Sequence, residues 1–205
     1  MTQHIILATL VATPILFATL PAQAEGDYSA KARALFKSDF KPRGQASLDR
    51  VHEDALQAVC NRTGNNPSQE NTKRLETSQM ATVKYPTDGK LMGDWKAGEK
   101  LAQSGRGFTW SDKAEQPVGG NCYNCHQISP KEVAYGTVGP SLLNYGKLRG
   151  SGPEMQKYTY NKIFNAKAYN ACSEMPRFGH VEALKPEQVK DLVALLLDPE
   201  SPVNK

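Results

Sequence analysis

The 205-residue sequence reads as an all-α protein, and three observations predict it. Val189, Leu192, Val193, Leu196 and Leu197 recur at the spacing of one helix face, behind a proline at 186 that suits a first helical turn. Ser47, Ser68 and Asp94 each stand where a helix cap is expected, before segments of helical character. The C-x-x-C pair at Cys122 and Cys125 lacks the βαβ pattern that accompanies a thioredoxin-like motif.

Residues 1–24 have the form of a secretory signal. Ile5 to Leu20 is apolar or small, and Pro21-Ala22-Gln23-Ala24 offers a small-residue cleavage site, so cleavage is expected after Ala24 and the mature chain in the periplasm. The first four residues carry no lysine or arginine. A membrane anchor is the alternative, but the run is short and has no basic stop after it. No interior segment reaches the apolar length of a membrane span.

Residues 25–90 are expected to form an N-terminal helical extension packed on the following domain. Leu48, Val51, Ala55 and Val59 fall near helical spacing behind Ser47, ending at 61–64, and a second short helix runs from Ser68 through Met80. Thr87-Asp88-Gly89 reads as a turn, and too few strongly apolar residues are present for a separate core. Residues 91–200 form the main domain and 201–205 a C-terminal tail. Within that domain Asp94 caps a helix carrying Trp95, Gly98, Leu101 and Ala102. Residues 104–120 and 146–153 read as loops, Tyr158–Ala168 as a helix, and Pro186 opens the last helix, which Asp198-Pro199 ends.

The net charge of +4 and isoelectric point near 8.8 suit docking to an acidic partner or attraction of a small anion. They are too weak to argue for nucleic acid.

The chemistry concentrates at Cys122-Tyr123-Asn124-Cys125-His126. C-x-x-C-H is the attachment pattern of c-type haem: Cys122 and Cys125 add to the vinyl groups of one haem, and His126 becomes an axial ligand. One covalent haem c is therefore expected. A zinc site would need a second closely spaced ligand pair, and Cys60 and Cys172 are isolated.

For the sixth position the candidates are His52, His180, Met80, Met92, Met155 and Met175. Met175 is preferred, because Met175-Pro176 sits in an irregular stretch before the last helix and the proline stiffens the backbone around a weak ligand. Met155, read as a loop residue, and His180 are the alternatives; His52 reads as a surface residue. With both axial positions filled, electron transfer is favoured over chemistry at the haem, and no catalytic residue is assigned. In an oxidising compartment Cys60 and Cys172 are expected to pair, tying the extension to the loop before Met175. Two unpaired thiols, or Cys60 joined to another chain, are the alternatives. Arg106, Lys147, Arg149 and Arg177 are candidates for a basic rim, with scattered solvated charge as the plainer reading. Tyr123 and Phe178 read as haem-packing or interface aromatics.

Cys122–His126, Gly139-Pro140-Ser141-Leu142, Met175-Pro176 and the last helix, in that order, resemble class I cytochrome c. The resemblance implies that Pro140 offers a carbonyl to the axial imidazole, that Leu142 packs on the haem, and that the helix with Gly98 crosses the last helix. Ala102 and Leu195 stand where that family usually has aromatics at the crossing.

More narrowly, Gly93–Glu99, Gly105-Arg106-Gly107, Gly119–Gln127, Val138–Leu142, Tyr145–Gly150 and Met175–Gly179 resemble the SoxX family. These are the monohaem subunits of the SoxAX cytochrome complex, and the likeness spans roughly residues 28–200. It implies a heterodimer with a SoxA-type cytochrome subunit that acts as an L-cysteine S-thiosulfotransferase, joining thiosulfate oxidatively to a cysteine of a SoxYZ-like carrier protein. Catalysis is then expected on the SoxA haem, and the chain here accepts the electrons and passes them to a soluble cytochrome c. A free-standing periplasmic carrier is the alternative.

Overall fold

The computed structural model describes residues 28–205; the signal read over 1–24 lies outside them. Among these residues the architecture is helical, the only extended pairing being an isolated bridge between Arg43 and Ala46. Helix α1, Tyr28–Asp39, belongs to a unit ending at Phe40 and buries none of its residues. Residues 41–205 form the second unit, which carries the site.

The helix expected from Leu48 to Val59 is broken. Leu48–Val51 is a 3-10 turn, and α2, Ala55–Arg62, starts afresh from Asp54. Asp54 accepts from the Gln57 amide at 2.8 Å while the Gln57 side chain accepts from the Asp54 amide at 2.9 Å. This reciprocal capping box satisfies two end groups that a continuous helix would leave to its own turns. Ser68 does cap α3, Gln69–Met80, through the Asn71 amide, and Asp94 caps α4, Trp95–Gln103, through the Lys96 amide.

Residues 146–149, expected in a loop, lie instead in α5, Tyr145–Arg149. Its cap comes from the far end of the chain, where Asn204 Oδ1 accepts from the amides of Gly146 and Lys147. Helix α6, Pro153–Phe164, starts five residues before the expected helix and takes in Met155; a 3-10 turn over Ala166–Ala168 follows.

Helix α7, Pro186–Leu197, is the centre of the core: Val189, Leu192 and every residue from Val193 to Leu197 are buried. Leu196 and Leu197 repeat at one face with Val189 and Val193, so the periodicity read from sequence is that of the packed surface. Helix α4 crosses α7 at Gly98, where a Cβ would run into the backbone of Asp191 and come within 3.0 Å of Leu195 Cβ. The glycine lets the two backbones touch, and the small Ala102 and the aliphatic Leu195 fill the crossing, both fully buried. Residues 201–204 pack rather than trail: Ser201, Val203 and Asn204 are buried, and Asn204 Nδ2 donates to the carbonyls of Leu196 and Asp198 at 3.0 and 2.9 Å. One side chain thus closes the end of α7 and the start of α5.

Candidate haem-binding site

Beside the α4–α7 crossing lies a cavity of about 640 Å³, of a size that takes a cofactor (roughly 300–1,000 Å³). Cys122, Cys125 and His126 line it from the 3-10 turn at Cys122–Asn124, and Met175 lines it from a segment fifty residues later. The turn is built locally: the amides of Cys125 and His126 both donate to the Cys122 carbonyl, at 3.1 and 2.9 Å. Asn121 enters it in the left-handed region, φ 50°, a conformation asparagine tolerates.

His126 Nδ1 lies 2.8 Å from the Pro140 carbonyl oxygen. A carbonyl only accepts, so Nδ1 carries the proton and Nε2 keeps its lone pair. The Leu142 amide donates to the Gln127 carbonyl at 2.7 Å and the Gly139 amide to the Cys125 carbonyl at 2.8 Å, laying the 139–142 strand of chain along the cysteine turn. Gly139 has no room for a side chain, since a Cβ there would fall onto the His126 ring. Pro140 and Leu142 both reach the cavity.

Cys122 and Cys125 are free thiols, and burial pushes the Cys122 thiol up to about 12. Among the described residues no group of three or more His, Cys, Asp or Glu side chains gathers to hold an ion.

The other expectations sort cleanly. Cys60 and Cys172 form a disulfide, with Cα atoms 5.6 Å apart. His52 is exposed; His180 Nδ1 meets Thr82 Oγ1 at 3.1 Å, and neither lines the cavity. Met155, on α6 rather than in a loop, does not line the cavity; its sulfur accepts from the hydroxyl of Tyr145, which does. Of the four residues considered for a basic rim only Arg149 lines the cavity. Arg177 is buried in an ion pair with Asp54, and Lys162, from α6, is the second cation of the lining. Phe178 lines the cavity but Tyr123 does not: its ring is in the core and its hydroxyl donates to Glu99. Helix α6 contributes Tyr158, Thr159 and Ile163 to the lining, a role its polar sequence did not announce.

The residues fit a covalently held haem. The cavity lining is predominantly apolar, two free thiols sit at one side of a turn, and an imidazole with a bare Nε2 and a thioether reach the same space. Cys122 and Cys125 would hold the group, and His126 and Met175 would ligate its iron. When bound, haem c supplies a one-electron iron couple whose potential a methionine ligand raises. These features define a c-type haem protein of the electron-transfer kind.

Comparison with known proteins agrees. Residues 96–198 match the family model described as Cytochrome c. An uncharacterized lipoprotein of Aquifex aeolicus (strain VF5) is 40% identical over 159 residues, covering 75% of this chain and 73% of that protein. The chain belongs to the cytochrome c family.

Proposed function

We propose that this chain is the monohaem, electron-accepting subunit of a SoxAX-type complex that oxidises thiosulfate. Cys122 and Cys125 hold one haem c, and His126 and Met175 are its axial ligands. The reaction, joining thiosulfate to a cysteine of a SoxYZ-like carrier as an L-cysteine S-thiosulfotransferase does, takes place on a SoxA-type partner subunit. The electrons released pass through this chain to a soluble cytochrome c.

The observation that carries the electron-transfer part is the presence of both His126 and Met175 in the lining of one cavity. With two protein ligands available, no position is left for a substrate on the iron. The thiosulfate part is supported by the six SoxX-like motifs and by an extension that is covalently tied to the haem domain. Export is supported by the disulfide, which persists in oxidising compartments, and by the description of the Aquifex relative as a lipoprotein. No helix among the described residues is long and apolar enough to cross a membrane.

The test is affinity purification of the mature protein from its own periplasm, with haem staining and mass spectrometry of what co-elutes. A second haem-bearing subunit with its own C-x-x-C-H, and thiosulfate-dependent modification of a carrier cysteine by the pair, are expected. A lone monohaem protein recovered under gentle conditions would favour the free-standing carrier and end the thiosulfate reading.

A further inference from the structure

The segment that presents Met175 has little regular structure of its own. Between the Ala166–Ala168 turn and α7 it makes local turns, the Ser173 amide to the Asn170 carbonyl at 3.0 Å and the Met175 amide to Ser173 Oγ at 3.2 Å. Pro176 contributes no N–H. The segment is held from outside, and on both sides of Met175 by the same extension. Three residues before Met175, Cys172 is bonded to Cys60 of α2, and the Ala171 amide donates to Glu76 Oε1 of α3 at 3.2 Å. Two residues after it, Arg177 donates through Nη2 to Asp54 Oδ2 at 2.5 Å and through Nη1 to Gln79 Oε1 at 3.3 Å.

The Arg177 side chain is only 9% exposed, so its guanidinium has given up water for these acceptors, and removing the carboxylate charge leaves it underpaired. A thioether is a weak, neutral ligand. Its hold on iron depends on how much of its loop's freedom is removed before it binds.

We propose that Asp54 and Cys60 are positioning residues for the sixth iron ligand: from the cap and the body of α2 they grip both flanks of the Met175 loop through Arg177 and Cys172, and loss of either grip loosens the thioether from the iron. The extension is then the part of the chain that sets the ligand strength, and with it the potential. This rests on Met175 being the axial ligand.

Asp54→Asn separates the grip from the fold. Asp54 Oδ1 serves the helix cap and Oδ2 serves Arg177, and asparagine caps a helix about as well as aspartate but brings no charge to the guanidinium. The experiment compares wild-type holoprotein with Asp54→Asn and with the Cys60→Ser/Cys172→Ser double variant. Carbon monoxide binding to the ferrous form, reduction potential, haem content and far-ultraviolet dichroism are measured. Both variants are expected to keep haem and helix content, to bind carbon monoxide at least about tenfold more tightly than wild type, and to show a lower potential. Should the double variant not fold, reduction of the disulfide in folded wild type by a dithiol gives the same comparison. Variants that keep haem and helix content, stay as inert to carbon monoxide as wild type and hold its potential would overturn the proposal while leaving Met175 as ligand. Wild type that takes carbon monoxide at once would overturn the ligand assignment itself, and the proposal with it.

Discussion

His126 donates its Nδ1 proton to the Pro140 carbonyl, 2.8 Å away and fourteen residues along the chain. That bond fixes the tautomer, with the proton on Nδ1, and holds the orientation of a ring that lines the cavity. It forms only because Gly139 lets the chain pass against the imidazole face.

Gly139→Ala therefore tests the arrangement. The added Cβ would occupy the ring's place, so either the imidazole turns or the 139–142 segment lifts and the Pro140 bond breaks. Overpacking of this kind costs about 1–3 kcal/mol, and the expected signature is a fall in covalently loaded protein together with a lower denaturation midpoint. Measured haem per protein equal to wild type would mean that the ring has room to move and that Pro140 does not orient it.

The parts of this site that could be read in the sequence are those governed by neighbours. The cysteine turn, the caps at Ser68 and Asp94 and the apolar face of α7 follow from residues a few positions apart, and each forms where its local pattern puts it. The break before Ala55 was also written locally, in Asp54 and Gln57 as a capping box, but the spacing of Leu48, Val51, Ala55 and Val59 imitates one continuous helix. What escaped is carried by distant partners. Helix α5 depends on Asn204, 58 residues away, and Arg177 faces inward because Asp54, 123 residues earlier, receives it. A charge next to a ligand loop looks like a rim residue until its partner is known. Tyr123, between Cys122 and Cys125, reads as a haem-packing or interface aromatic for the same reason, and Glu99 turns it into the core.

That last contact gives a second prediction. The Tyr123 hydroxyl reaches both oxygens of Glu99, at 2.9 and 3.1 Å, tying the cysteine turn to α4. Burial, then Glu99 itself, raise the phenol's pKa well above its ordinary value, so it remains a donor throughout the working range. Tyr123→Phe leaves the shape and removes a bond to a charged acceptor, a loss of about 1.5–3 kcal/mol. Urea unfolding is expected to show an earlier midpoint with an unchanged slope, and the visible spectrum to stay as in wild type. A shifted spectrum at unchanged stability would place the ring on the haem instead.

Acid should destabilise the fold in two separate windows, both traceable to the surroundings of Arg177. His180 is half-buried against Thr82; burial lowers its pKa, Arg177 lowers it further, Asp54 opposes and Lys84 again lowers it. Below the unfolded value of about 6.5 the unfolded chain binds a proton that the folded one refuses, so stability declines as pH falls through that value toward the folded pKa. Asp54 behaves as a paired carboxylate. Burial raises its pKa, but the Gln57 amide and the Arg177 guanidinium outweigh that and hold it below the ordinary value. Its contribution is complete above the unfolded pKa of about 3.9 and is lost as pH falls through the folded one. Unfolding free energies measured by denaturant from about pH 8 to pH 3 should thus fall first near neutrality and again in the acid range. His180→Gln is expected to flatten the first decline, and Asp54→Asn to flatten the second; because the Asp54 charge opposes the lowering at His180, Asp54→Asn also deepens the first. An acid limb of the same slope in Asp54→Asn and wild type would show that the lower window belongs to another carboxylate, and that the charge on Asp54 is not what holds Arg177.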